Sequence, residues 1–137
     1  MPSHVADKSA LVRMGTPQAA AKIIPLMQSG EIATCGVVEL EVLYSARSGD
    51  DLAITRARRR AAFPRLSMSE EDFVRAEDVM ALLAGSGRHR AVSLPDLLIA
   101  AVAERFNLIV LHYDADYDVI ASVTGQKVEW VAPKGSL

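Results

Sequence analysis

The chain is short of the residues from which many functional sites are built. It has one cysteine, Cys35, in 137 residues, which excludes an internal disulfide; without a nucleophile's motif around it, Cys35 reads as a small core residue. Its three histidines, His4, His89 and His112, fall at no metal-ligating spacing and read as structural or surface groups. Cationic excess is missing too. Lys and Arg total 15 against 17 Asp and Glu, a net charge of −2, so no chain-wide basic field advertises nucleic acid and such a partner must be held by a local patch. No apolar run approaches the roughly 18 residues of a membrane helix. No charged N-terminal segment leads into an apolar signal core, so a cytoplasmic location is expected. Gly85-x-Gly87 lacks the third glycine and the preceding strand of a phosphate-binding loop. No repeat, low-complexity tract or Pro/Gly-rich linker divides the sequence, which predicts one domain over residues 1–137.

What the chain has in quantity is apolar residues, 50% of the total and enough for a sizeable core. Short apolar runs predict strands over 4–6, 32–35, 108–111 and 128–131, and three-and-four spacing predicts helices over 18–29, 38–47, 52–60, 69–83, 96–106 and 119–124. Pro25 interrupts the first helix, predicting a kink there or two shorter helices. Ser69 with Asp72 three residues on forms a capping box, and Pro95 suits a first helical turn. The unbroken apolar run Leu108 to Leu111 suits a strand covered on both faces. Strands alternating with helices predict an α/β fold, a three-layer sandwich around a mainly parallel central sheet. In such sheets, sites form beyond the carboxyl ends of the strands.

The acids gather at that edge. In LIVLHYDADYDVIA, residues 108–121, a buried strand gives way to Asp114, Asp116 and Asp118. Asp7 follows the first strand, Asp96 opens a helix after Leu94-Pro95, and Glu41 lies one turn into the helix after the second strand. Separate stretches can therefore bring Asp7, Glu41, Asp96 and Asp114 together, with Asp116 close by. So many carboxylates cannot stay ionised together uncompensated, and oxygen-only ligation suits Mg²⁺ or Mn²⁺, ions that promote hydrolysis of phosphate esters.

Each acid has a plainer reading. Asp7 before Ser9 can cap a helix, and Asp96 beside Pro95 can be first-turn charge favoured by the helix dipole. Glu41 can lie on a polar helix stripe, where Glu39 competes with it. Asp118 is expected to cap the helix after it. A calcium loop starting at Asp114 is excluded because Val119 and Gly125 stand where glycine and glutamate are required. A phosphatase using Asp114 as nucleophile would carry that motif on its first strand. Only 21 residues follow Asp116 here.

Four pieces, DKS at 7–9, ELEVLYSAR at 39–47, LPDLLIAAVAE at 94–104 and VLHYDADYDVIA at 110–121, come in an order and spacing that resembles the PIN-domain ribonucleases, specifically the VapC-type toxins of type II toxin–antitoxin pairs. The likeness covers essentially the whole chain and departs at Ser45 and His112, where the family usually has glycine and threonine. It implies an endoribonuclease in which Asp7, Glu41, Asp96 and Asp114, with Asp116 as an additional acid, hold Mg²⁺ or Mn²⁺ and Ser9 orients a ligand or water. The implied substrate is structured RNA such as tRNA or rRNA. The implied partners are a VapB-type antitoxin and a second copy of the chain. Lys8, Arg13 and Arg47 would contact RNA or antitoxin. The dense stretch Arg56, Arg58, Arg59, Arg60 and Arg65 reads either as a solvated helix face or as a surface for RNA or a partner, since arginine binds phosphate and carboxylate alike. A non-catalytic RNA-binding or regulatory module, a DNA nuclease and a magnesium-dependent phosphatase are the competing functions.

Overall fold

The computed structural model describes residues 1–137. Its strands are β1 (His4–Ala6), β2 (Ile32–Ala33), β3 (Ile109–His112) and β4 (Val128–Trp130); its helices are α1 (Lys8–Leu11), α2 (Pro17–Gln28), α3 (Gly36–Tyr44), α4 (Gly49–Ala62), α5 (Glu70–Ala84), α6 (Leu94–Arg105) and α7 (Asp116–Thr124). The strands form one wholly parallel sheet in the order β2-β1-β3-β4.

Successive residues of a strand face opposite sides, and the core divides accordingly. Val5, Ala33 and Val110 belong to a 16-residue cluster with α3, α5, α6 and α7, while Ala6, Ile32 and Leu111 join a nine-residue cluster with Ala19 and Ile23 of α2 and with Phe63. The expected three-layer sandwich follows from that split. From β1 the chain passes along one face to β2, then returns along the other face, past β1, to β3. The strand order reverses between β1 and β3, so a crevice opens at their carboxyl ends.

Two helices fix that crevice. In α6, Ser93 is the N-cap, Pro95 lies in the first turn, and Leu97, Ile99, Ala100, Ala101, Val102 and Ala103 are all buried. Each large side chain among them contributes roughly 1.5–3 kcal/mol of burial, so the start of α6 is anchored by the core. The α7 helix ends at Gly125, whose φ of 71° is one that side chains disfavour.

Several boundaries differ from expectation. Two shorter helices do not form at Pro25: α2 is one helix with Pro25 inside it, and Pro25 and Ala21, whose carbonyl loses its donor, both lie on the exposed side. The strand expected over 32–35 stops at Ala33, and Thr34 makes a lone bridge to Arg65. Helix α3 stops at Tyr44, leaving Arg47 in the connection to α4. Helix α7 begins at Asp116, so Asp118 lies inside its first turn and is not its cap; the Asp118 carboxylate accepts the Trp130 indole N–H at 3.1 Å. The capping acceptor is Asp114, whose Oδ1 receives the Asp116 N–H at 2.9 Å. No helix is long and apolar enough to cross a membrane.

Candidate metal centre

Asp7 serves two purposes with its two oxygens. Oδ2 accepts the Ser9 backbone N–H at 3.0 Å and the Ser9 hydroxyl at 2.5 Å, capping α1, while Oδ1 accepts the Tyr117 hydroxyl at 2.8 Å. The Ser9 oxygen in turn accepts the Tyr113 N–H at 2.9 Å, tying the end of β1 to the end of β3.

Asp96 shows how the site departs from ordinary helix chemistry. The chain has three S-x-x-D helix starts, at Ser48, Ser69 and Ser93; at Ser48 the Asp51 carboxylate accepts the Arg47 N–H and the box stays open. At Ser69 the box closes, with Asp72 Oδ2 accepting the Ser69 N–H at 2.9 Å. At Ser93 it does not close: the Ser93 hydroxyl accepts the Asp96 N–H at 3.3 Å, but the Ser93 N–H goes to Asp116 Oδ2 at 3.0 Å. Asp116 thus relieves Asp96 of its capping duty, and the Asp96 carboxylate faces Tyr117, whose hydroxyl reaches its Oδ1 at 3.1 Å. Asp96 is 5% exposed. Burial pushes its carboxyl up to about 8, aided by Asp116, Asp7 and Asp114.

Glu41 and Glu39 divide on α3, since residues two apart diverge by roughly 200° around a helix. Glu39 points away from the acids. Its carboxylate receives two hydrogen bonds from Arg59, at 2.8 and 2.7 Å, and one from Thr34 at 2.5 Å. Burial alone would raise its pKa, but Arg59 and Thr34 outweigh that and hold it below the usual range. Glu41 faces the crevice, where its buried Oε1 has no hydrogen-bond partner. Burial, then Asp7, raise its pKa; Lys8 opposes them, and Asp114 adds to the rise.

Asp7, Glu41, Asp96, Asp114 and Asp116 line one cleft of about 260 Å³ with Lys8, Ser9, Val12 and Ser93. Oxygens of Asp7, Glu41 and Asp96 all lie within 4.8 Å of one another, as do those of Asp96, Asp114 and Asp116. The donor set is all carboxylate, Asp96 is common to both groups, and a buried Glu41 oxygen lacks any donor. Those features fit a hard divalent cation, which would supply the missing positive charge and a partner for Glu41.

The cations fare unevenly. Lys8 lines the cleft. Arg13 stands beside it, its guanidinium donating to the Ser9 carbonyl at 2.8 Å and lying 4.2 Å from the centre of the Tyr113 ring. Arg47 is exposed and not brought to the acids. The arginine stretch splits, Arg59 being buried against Glu39 while Arg56, Arg58, Arg60 and Arg65 are exposed.

Sequence reasoning gave two residues no role at the site. Tyr117, fully buried, joins Asp7 to Asp96. His112, also fully buried, accepts the Asp114 N–H on Nδ1 at 3.1 Å, which assigns its proton to Nε2; burial keeps its pKa low and the ring neutral. Their ring centres lie 5.0 Å apart. The available signal for Tyr117 was its spacing from Ile120, three residues on, which puts both on the inner face of α7.

A carboxylate-lined crevice at the reversal point of a small parallel sheet agrees with the sequence comparison. Residues 5–123 match the PIN domain, and the chain belongs to that family. Its place within the family is among the VapC proteins. It is 41% identical over 133 residues to Ribonuclease VapC21 of Mycobacterium tuberculosis, covering 97% of this chain and 96% of that one. VapBC-5, a toxin–antitoxin system of Mycobacterium tuberculosis, superposes with a TM-score of 0.63 at 26% identity, over 94% of this chain and 98% of that one. DNA-bound VapBC from Salmonella typhimurium gives a TM-score of 0.77 over 96% of this chain and 100% of that one; at 16% identity this likeness speaks for the fold alone.

Proposed function

We propose that this chain is a metal-dependent endoribonuclease, the toxin of a toxin–antitoxin pair, acting in the cytoplasm on structured RNA such as tRNA or rRNA. The observation that carries the reading is the convergence of Asp7, Glu41, Asp96 and Asp114, from four separate segments, on one cleft where a buried Glu41 oxygen is left without a donor. The names of the relatives support it, since VapC21 is called a ribonuclease and VapBC-5 a member of a family of toxin–antitoxin systems. By the same likeness, a VapB-type antitoxin and a second copy of the chain are the partners.

Asp7, Glu41, Asp96 and Asp114 would hold Mg²⁺ or Mn²⁺, with Asp116 alongside. When bound, such an ion supplies a water of lowered pKa and positive charge for the oxygens of the phosphodiester. The chain's own residues do the positioning. Ser9 fixes Asp7 through two hydrogen bonds, and Tyr117 spans Asp7 and Asp96. Asp116 takes the Ser93 N–H, so the Asp96 carboxylate does not close the helix cap and stays in the cleft. The neutral His112 holds the backbone at Asp114.

The test is cleavage of pooled tRNA and rRNA by antitoxin-free protein with Mg²⁺ or Mn²⁺, with excess chelator, and with Asp96→Asn. Discrete fragments that require both metal and Asp96 support the reading. Intact RNA under metal-replete conditions refutes the substrate class, and fragments that persist with Asp96→Asn refute the site.

A further inference from the structure

We propose that Lys8 is the residue that receives the RNA phosphate at the acid cleft and that Ser45 is the positioning residue that holds Lys8 ready for it. The inference rests on the ribonuclease reading and deepens it, by assigning a substrate contact. Lys8 is the first residue of α1, directly after Asp7, and the only cation lining the acid cleft. It also lines the adjoining apolar groove of about 370 Å³, so its ammonium stands where the two depressions meet.

The contact it makes is the unusual one. An unrestrained ammonium beside several carboxylates should fold onto one of them, gaining a charge-assisted hydrogen bond. Lys8 forms no ion pair with any of them. Its Nζ instead donates to the Ser45 hydroxyl, at 2.5 Å, at the C-cap of α3. A lysine has three N–H donors, so two remain. Held in this way, the ammonium neither neutralises a metal-binding carboxylate nor leaves the cleft.

Substrate geometry then assigns the role. A phosphodiester entering the cleft brings negative charge to a place crowded with carboxylates. Lys8 is the one fixed cation on that wall, and a compact ammonium on a flexible stem can meet a phosphate oxygen from many directions. The same charge already reaches Glu41, whose proton affinity it lowers against burial and Asp7.

A plain counter-ion role for Lys8, holding the acids together, makes opposite predictions. The experiment compares the full chain with Lys8→Met, Lys8→Arg and Ser45→Ala. It measures anisotropy of a short labelled single-stranded RNA in Ca²⁺ across a salt series, Mn²⁺ binding without RNA, and cleavage of pooled tRNA. Lys8→Met should bind RNA about tenfold or more weaker, with a log–log salt slope shallower by about 0.7, the share of one phosphate contact on a single strand. Its Mn²⁺ affinity should be equal or tighter, since a repelling charge is gone. Lys8→Arg should recover part of the RNA affinity. Ser45→Ala should lose less affinity than Lys8→Met and keep the parental slope. Parental RNA affinity and slope in Lys8→Met, or loss of its Mn²⁺ binding, overturns the inference while leaving the ribonuclease reading intact if the parent still cuts RNA. A parent that neither binds nor cuts RNA brings down both.

Discussion

The hydroxyl of Tyr117 donates to Asp7 across 110 positions of sequence, at 2.8 Å, from a side chain that is fully buried. It also reaches Asp96 at 3.1 Å, so one phenol proton is divided between two of the four clustered acids. Burial, then the charges of Asp7 and Asp96, push the phenol pKa well above its ordinary value, which keeps the donor in place at any working pH. Tyr117→Phe removes that donor without opening a cavity. Outer partners of metal ligands are worth roughly 10- to 100-fold in metal affinity or activity, and a loss of that order is expected in Mn²⁺ binding and in cleavage. Calorimetric titration of parent and variant with Mn²⁺ checks it; parental affinity in the variant would show the phenol to be packing alone.

Asp96 gives a pH signature to the metal-free chain. Its folded pKa of about 8 lies above the ordinary carboxylate value, because of burial first and then Asp116, Asp7 and Asp114. Between about pH 4 and pH 8 the folded state therefore binds more protons at this position than the unfolded state does. Stability contributed by Asp96 is present at the acid end and is lost as pH rises through that window. Asp72, whose pKa is lowered by Arg105, and Glu39, held down by Arg59, act in the opposite sense at lower pH. The quantity to measure is thus the difference in Tm between Asp96→Asn and parent, in chelator. The variant should gain on the parent as pH rises from 5 to about 8, and excess Mg²⁺ should abolish the gain by restoring the parent. A difference that stays flat with pH would remove Asp96 from the cluster.

Much of this arrangement was legible in the chain. The parallel fold could be read because its strands are short apolar runs between helices of clear spacing; the position of Asp7 and Asp114 followed from the rule that sites lie beyond strand ends, and that of Asp96 from the helix it opens after Leu94-Pro95. Glu41 needed more, since Glu39 fits the same helix equally well; only the position of Arg59, 20 residues away, shows which of the two is neutralised in the core. Asp118 was misassigned because any of the three aspartates after β3 can cap a helix. The choice depends on the backbone turn at Asp114, which accepts the first helical N–H. The diversion of the Ser93 N–H to Asp116 is a contact across 23 residues, invisible to local pattern.

Glu39 and Glu41 provide an internal control for the site. Glu39 shares a buried bidentate pair with Arg59, both side chains being about 10% exposed. Breaking one partner of such a pair costs about 3–5 kcal/mol, because the other is left charged and buried. Arg59→Met should therefore lower Tm sharply, leaving metal affinity of the surviving folded protein near parental. Glu41→Gln should do the reverse, with Tm in chelator held or raised and Mn²⁺ binding lost. Thermal melts paired with Mn²⁺ titration separate the two, and similar profiles for both variants would contradict the division of labour on α3.

Asp116 and Asp118 lie two residues apart in the first turn of α7 yet should respond differently to truncation. The Asp118 carboxylate is exposed and accepts only the Trp130 indole N–H, a bond that asparagine can also accept. Asp118→Asn is expected to leave cleavage within about twofold, as isolated surface changes do. The Asp116 carboxylate instead accepts the Ser93 N–H. In Asp116→Ala that N–H is orphaned, and the acceptor at hand is Asp96, three residues along the same S-x-x-D start that closes at Ser69 and Asp72. Closing the box would turn the Asp96 carboxylate out of the cleft. Asp116→Ala should thus lose activity by about tenfold or more while α6 keeps its cap and Tm barely changes. The check is the double variant Ser93→Pro/Asp116→Ala: proline at the N-cap has no N–H to attract Asp96, so activity should recover in part. Equal activity in the single and double variants would mean that Asp116 acts through its own charge in the cleft and not through Asp96.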